Sequence, residues 1–211
     1  MYRFNTRARV SVIGLGFACT MMLLLPLTAS SQDRPLVMID AGHGGDEIGV
    51  VVEGWEEKGL VLEIAFVLAA EFSAAGYDVA FTRTGDEAVA WNDRRSGAEE
   101  AGADVLLMLH ANQSEDPASH GAEIYVNTEN ARSNGLAEAL GVALRADGSK
   151  AVVEHRPWPF LQSETTATAM LELAFMTNAE DARKLRESSF HHHLGEVMVG
   201  AVSEWMSARD N

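Results

Sequence analysis

His43, Glu57, His110 and Glu172 are the residues whose types and settings suit chemistry. His43 stands in "LVMIDAGHGG", residues 36–45, where an apolar run gives way to an acid, two small residues, the histidine and two glycines. Side chains this small cannot pack around an imidazole, so one ring edge is left open, and a metal ion is the obvious occupant. His110 ends the apolar run "DVLLMLH", Glu57 opens a helix in "GWEEKG", and Glu172 lies inside "AMLELAFMTN". A carboxylate flanked by Met170, Leu171, Leu173, Ala174 and Phe175 is costly to bury without a partner, and desolvation raises its pKa. His43, Glu57 and His110 supply three ligands for one tetrahedral zinc ion and leave the fourth position to water, the layout of a catalytic site. Glu172 would then be the carboxylate that takes the proton of that water. No GxSxG or P-loop competes for the chemistry, and no thiol outside the N-terminal segment, so a covalent nucleophile is not expected.

These residues need a frame that gathers them. Short apolar runs at 36–40, 78–83, 104–110, 122–127 and 169–174 read as strands. They alternate with helical patterns at about 57–75, 90–102, 132–146 and 190–207. The alternation predicts an α/β fold: one three-layer domain with a twisted, largely parallel sheet flanked by helices. Ligands in such sheets collect beyond the carboxyl ends of the strands, where His43 and His110 stand. The stretch 148–168, containing "RPWPFLQSETT", reads as a long irregular loop of the kind that lines a substrate groove. Trp158 and Phe160 in it either floor that groove or simply pack. Two histidines and a carboxylate would also suit a non-haem iron oxygenase, but that chemistry is expected on a β-sandwich.

The chain has 211 residues, enough for one sizeable domain, and a formal net charge of −15. Such a surface repels nucleic acid and anionic membranes. Residues 1–30 stand apart. Arg3, Arg7 and Arg9 precede the apolar run "SVIGLGFACTMMLLLPL", and small residues follow in "TASSQ". This is the pattern of a secretory signal peptide, with an uncleaved membrane anchor as the alternative. The domain would then span 31–211, with its core at about 36–206. The expected location is the periplasm or cell envelope, with no stable membrane association after cleavage. Cys19, the single cysteine, lies in the apolar run, so the exported domain would hold no disulfide.

The ordered segments "IDAGHGG", "GWEEKGLVLEIA", "LHAN", "GAEIYV" and "LELAFMTNAED" carry a family resemblance. From Leu36 to about Met206 the chain resembles the zinc-dependent N-acetylmuramoyl-L-alanine amidases of the Amidase_3 type, the bacterial cell-wall amidases. The resemblance implies one zinc ion on His43, Glu57 and His110, with Glu172 as the catalytic glutamate. It also implies hydrolysis of the amide between N-acetylmuramic acid and the L-alanine of the stem peptide. Glu57 aligns because it directly precedes Lys58, and Glu56 is its nearest rival. Ala41, Ala167 and Ala174 stand where the family usually has proline, proline and glycine; none of these changes removes a ligand. Peptidoglycan is the expected partner, an activator protein a further candidate, and a monomer the expected state. The alternative is a binding module of the same fold that recognises peptidoglycan without cleaving it.

Several neighbours take secondary roles. Asp40 either orients the His43 ring or caps the turn. Asn112, just after His110, is a candidate substrate contact. Arg94 and Arg95 resemble a helix arginine of the family with a structural task. His120 reads as a surface loop residue, and His191, His192 and His193 as a solvated helix start, because consecutive helical residues point in different directions.

Overall fold

The computed structural model describes residues 34–209. The expected signal peptide, with Cys19, lies outside the described residues. Among the described residues six strands form one sheet, in the spatial order β4 (Asp78–Phe81), β1 (Leu36–Ala41), β5 (Val105–Asn112), β8 (Ala167–Phe175), β6 (Ala122–Val126) and β7 (Ala151–His155). At its centre run β1 (Leu36–Ala41), β5 (Val105–Asn112) and β8 (Ala167–Phe175), mutually parallel and buried almost throughout. Burial on both faces is why these strands read as continuous apolar runs rather than alternating ones. β4 (Asp78–Phe81) extends the parallel set beside β1.

On the other flank β6 (Ala122–Val126) pairs antiparallel with β8, and β7 (Ala151–His155) pairs parallel with β6. The reversal follows from chain length: residues 113–121 are too few for the crossover that a parallel connection requires. β6 therefore starts at the edge where β5 and β8 end, which sets Glu123 opposite Glu172.

The sheet is covered unequally. One face packs against α1 (Glu57–Ala74) and α3 (Ala131–Ala146), with α5 (Ser188–Arg209) lying against both helices. Leu60, Ile64, Leu68 and Phe72 of α1, Leu136 and Leu140 of α3, and Leu194, Met198 and Val202 of α5 join Ile39, Leu107 and Leu109 in the main core. Each such side chain contributes about 1.5–3 kcal/mol by leaving water. The Asn130 side chain caps α3 by accepting from the amides of Arg132 and Ser133. Among the described residues the opposite face carries α2 (Trp91–Ala101) and a 3-10 turn at Pro159–Leu161, over a smaller core built on Met38, Leu106, Met108, Leu161 and Met170.

Residues 148–168 are not one loop, as the sequence suggested. They include strand β7 and the 3-10 turn. "AVVEH" sits at the sheet edge with its last four residues partly or fully exposed, so it lacks the apolar run that marks the central strands. A hairpin of two-residue strands, β2 (Val51–Val52) and β3 (Trp55–Glu56), also escapes sequence reading; Glu53 and Gly54 turn it with positive φ of 52° and 82°. So does the short helix α4 (Ala179–Leu185), although Asn178 caps it. Among the described residues no helix is long and apolar enough to cross a membrane.

Candidate metal centre

The site lies at the carboxyl edge of β1, β5 and β8. Beyond β1 the Gly42 amide donates to the Leu109 carbonyl at 2.9 Å, carrying the ladder one residue further before the chain turns at His43. His43 takes a left-handed backbone, φ 60°, uncommon for a residue with a side chain. Two buried arginines fix the turn. Arg83 donates to the carbonyls of Ala41 and Gly42, each at 2.8 Å. Arg94, from α2, donates to Ala41 at 2.8 Å and to His43 at 2.7 Å. The bareness of the turn has a steric cause: a Cβ on Gly42 would fall 2.3 Å from the His110 ring. The His110 ring comes this close to the turn only because residue 42 is glycine.

Glu57 is the first residue of α1, where a helix terminus favours negative charge. It is 2 % exposed. One oxygen accepts from the Val50 amide and the other from the Ala111 amide, both at 2.9 Å. Burial pushes its carboxyl up. Hydrogen bonds from His110 and His43 and the amides of Ala111 and Val50 outweigh that and hold it well below the usual carboxylate range. His43 Nε2 lies 3.0 Å from one oxygen and His110 Nδ1 lies 3.1 Å from the other. The two ring nitrogens are 3.2 Å apart. The ligand atoms of His43, Glu57 and His110 all fall within 4.8 Å of one another. Two imidazole nitrogens turned on one ionised carboxylate form a donor set that a metal cation satisfies.

Glu172 stands beside this cluster as the register partner of His110 on the adjoining strand. Its apolar neighbours Leu171 and Leu173 belong to the main core, while Glu172 faces the depression with Met170. Its Oε2 is buried with no hydrogen-bond partner among the described residues. Burial, then the negative charges of Glu57 and Glu123, push its carboxyl up to about 8. The depression measures about 570 Å³, and His43, Glu57, His110, Glu172, Trp158 and Phe160 are among its lining residues.

Asp40 does not reach the His43 ring. Its Oδ1 accepts from Arg94 at 2.6 Å and from Thr82, while Oδ2 has no partner among the described residues. Asp40 therefore acts on the histidine only through Arg94, which holds the His43 carbonyl. Asn112 lines the depression, but its amide is committed: Nδ2 donates to Glu123 at 2.9 Å, and Oδ1 accepts from Gln113. Glu123 went unnoticed in the sequence because it alternates with Ala122 and Ile124 as any solvent-facing strand residue would. Only the antiparallel register places it across from Glu172. Arg83 and Trp91 were equally silent, since one follows a strand and the other begins a helix.

The histidine run departs from expectation at one member. His191 is 2 % exposed and its Nε2 lies 2.7 Å from the Leu185 carbonyl, tying α5 to α4. His192 and His193 face outward and pair with Glu71 and Asp147. His120 is exposed in its loop. Among the described residues the His43, Glu57 and His110 trio is the one group of three or more such side chains that could hold a metal ion.

The α/β domain brings two imidazoles and a carboxylate, a group that could hold a metal ion, to the carboxyl edge of its sheet. The chain belongs to the N-acetylmuramoyl-L-alanine amidase family Amidase_3, whose profile matches residues 37–204. It is 26% identical to the N-acetylmuramoyl-L-alanine amidase AmiA of Salmonella typhimurium, over 88% of this chain and 81% of that one. It is 30% identical to the amidase LytC of Bacillus subtilis over 79% of this chain, yet spans only 35% of LytC. The solved structure of an N-acetylmuramoyl-L-alanine amidase from Clostridium difficile 630 superposes with a TM-score of 0.77 at 25% identity. That match covers 82% of this chain and 97% of that one.

Proposed function

We propose that this protein is a zinc-dependent cell-wall amidase that hydrolyses the amide between the lactyl group of N-acetylmuramic acid and L-alanine in peptidoglycan. The observation that carries the reading is the convergence of His43, Glu57 and His110 beside Glu172. One zinc ion held by these three residues would supply Lewis acidity to the scissile carbonyl and to the attacking water.

The chain's own residues do the rest. Glu57, kept ionised by the amides of Val50 and Ala111, supplies negative charge at the ligand cluster. Arg83 and Arg94 hold the turn that aims His43. Glu172 takes the proton of the attacking water on the unpartnered Oε2 and delivers it to the departing amine nitrogen of L-alanine. Burial raises this carboxyl above the ordinary 4.5, and a cation held by the neighbouring Glu57 would offset part of the rise, which suits it to both halves of that transfer. Glu123 holds a second negative charge across from Glu172 and helps to keep it there.

In this reading residues 1–30 are the signal peptide that exports a domain spanning 31–211 to the cell envelope, the compartment of the substrate. An activator protein would be a second partner beside peptidoglycan. The test is digestion of purified peptidoglycan with zinc supplied, in the presence and absence of envelope extract. Mass spectrometry should find stem peptides with free L-alanine amino ends and glycan strands stripped of peptide. Muropeptides that keep their peptides after prolonged digestion under both conditions would leave a binding module instead.

A further inference from the structure

Away from the ligand cluster the depression continues along a run of aromatic rings. Trp91 stacks on the His110 imidazole, with centroids 5.4 Å apart and planes inclined by 13°. Phe160 follows at 4.5 Å from Trp91, Trp158 at 5.5 Å from Phe160, and Tyr125 at 5.2 Å from Trp158. Tyr125, Trp158 and Phe160 also roof the smaller core, so they are braced from beneath while Trp158 and Phe160 line the depression. Trp91 remains 36 % exposed. On the far side of this shelf, between α2 and residues 159–165, lies a second channel of about 880 Å³. Asn92, Ser96, Glu99, Gln162 and Glu164 are among its lining residues. The two spaces adjoin: Trp91 and Phe160 line the first, and their chain neighbours Asn92 and Pro159 line the second.

Aromatic rings followed by amides, hydroxyls and carboxylates match the chemistry of a pyranose. One face of such a ring is a patch of C–H bonds, and its rim is a set of hydroxyl and acetamido groups that donate and accept. Charge separates this occupant from the other half of the substrate. The arginine of the channel, Arg95, is bound at 3.0 Å by Glu99, and Arg156 at the far end of the shelf is bound at 2.8 Å by Glu154. Glu100 and Glu164 also line the channel. An acidic stem peptide is repelled by such a rim, whereas an uncharged sugar is not.

We propose that the shelf of Trp91, Phe160 and Trp158, with the polar channel beyond it, is a subsite for the N-acetylhexosamine rings that neighbour the scissile amide along a glycan strand. The inference rests on the amidase reading and extends it from the bond cleaved to the polymer held. It makes the enzyme one that grips sugar on the α2 side of its metal centre.

The four tryptophans, Trp55, Trp91, Trp158 and Trp205, give the test its internal controls, read by the indole N–H signals in NMR. The probes are the dimer and tetramer of N-acetylglucosamine, which carry no charge, and the dipeptide L-Ala-γ-D-Glu. The sugars should shift Trp91 and Trp158 saturably and leave Trp55 and Trp205 in place. The tetramer should bind about tenfold more tightly than the dimer, because only it reaches the channel. Trp158→Ala should weaken tetramer binding about tenfold. Gln162→Ala, which leaves the ring stack intact, should weaken the tetramer severalfold and the dimer little. Sugars that move neither indole, a dipeptide that moves them in their stead, or tetramer affinity unchanged in both variants would overturn the proposal. Hydrolysis is scored separately: cleavage without sugar binding removes the shelf alone, and sugar binding without cleavage removes the amidase reading alone.

Discussion

The two faces of the sheet are built to different standards. The face under α1, α3 and α5 is sealed by leucine, isoleucine and phenylalanine side chains such as Ile64, Leu68 and Phe72, which are wholly buried. The face under α2 is covered by one short helix and a 3-10 turn, and its core holds three methionines, Met38, Met108 and Met170. His110 and Glu172 face the thinly covered side, where Trp91 and Met170 flank them. The contrast assigns the work: the sealed face fixes strand order and register, and the sparse face leaves room at the strand ends for substrate. Methionine suits that second task, being an unbranched side chain that fills irregular gaps.

The sharpest way to break this comparison is at the strand ends. His110→Ala should reduce zinc content from one per chain to near none by elemental analysis. Glu172→Ala should keep the zinc and lose ~10²–10⁴-fold in turnover. A Glu172→Ala protein with wild-type turnover would move the chemistry away from the sparse face. Next in size is a matched pair of truncations followed by urea unfolding and by turnover per folded molecule. Phe72→Ala on the sealed face should cost about 3–5 kcal/mol and leave turnover unchanged. Met170→Ala should cost about 2 kcal/mol, because the depression already opens beside it, and should lower turnover. Equal costs with equal activities would erase the distinction.

Arg94 sharpens the picture at the boundary. It is 3 % exposed, and its partner Asp40 is fully buried. Arg94→Ala strands a buried carboxylate and should cost about 3–5 kcal/mol. Adding Asp40→Asn should recover part of the stability but not the zinc affinity, since the His43 carbonyl stays unheld. Recovery of both would show that Arg94 serves Asp40 rather than the turn.

The smallest effect is a slope with pH, measured on chelator-treated protein. Glu172 has a folded pKa of about 8 against an ordinary 4.5. The folded state thus keeps a proton that the unfolded chain releases, and stability is lost as pH rises from about 4.5 to about 8. Glu172→Gln should flatten that decline. Glu57 acts in the opposite sense. Its contribution is present above the ordinary carboxylate range and is lost as pH falls through its depressed value, so Glu57→Gln should reduce acid sensitivity.

What could be read from the sequence divides along physical lines. β1, β5 and β8 are buried on both sides, so "LVMID", "DVLLMLH" and "AMLELA" announce themselves, and helices α1 and α5 carry enough apolar residues to do the same. β7, the Val51–Glu56 hairpin and α4 are short and partly exposed, and no apolar period survives at that length. His43 and His110 stood out as imidazoles in glycine-rich and apolar settings, whereas Glu57 was told from Glu56 only by the family match before Lys58. The roles of Asp40, Asn112 and Glu123 were not, because each depends on a partner brought in by tertiary register: Arg94 from α2, Glu123 from β6 and Glu172 from β8.

The turn after β1 carries a last consequence. Its histidine is aimed by guanidinium groups from two later segments, and its companion ligands come from the start of α1 and from β5. No fragment of the chain shorter than Ala41 to His110 contains the held carbonyls, the two arginines and the three ligands. Ion capture thus reports that the segments from Ala41 to His110 have come together, and tight binding by an intermediate that lacks one of them is not to be expected.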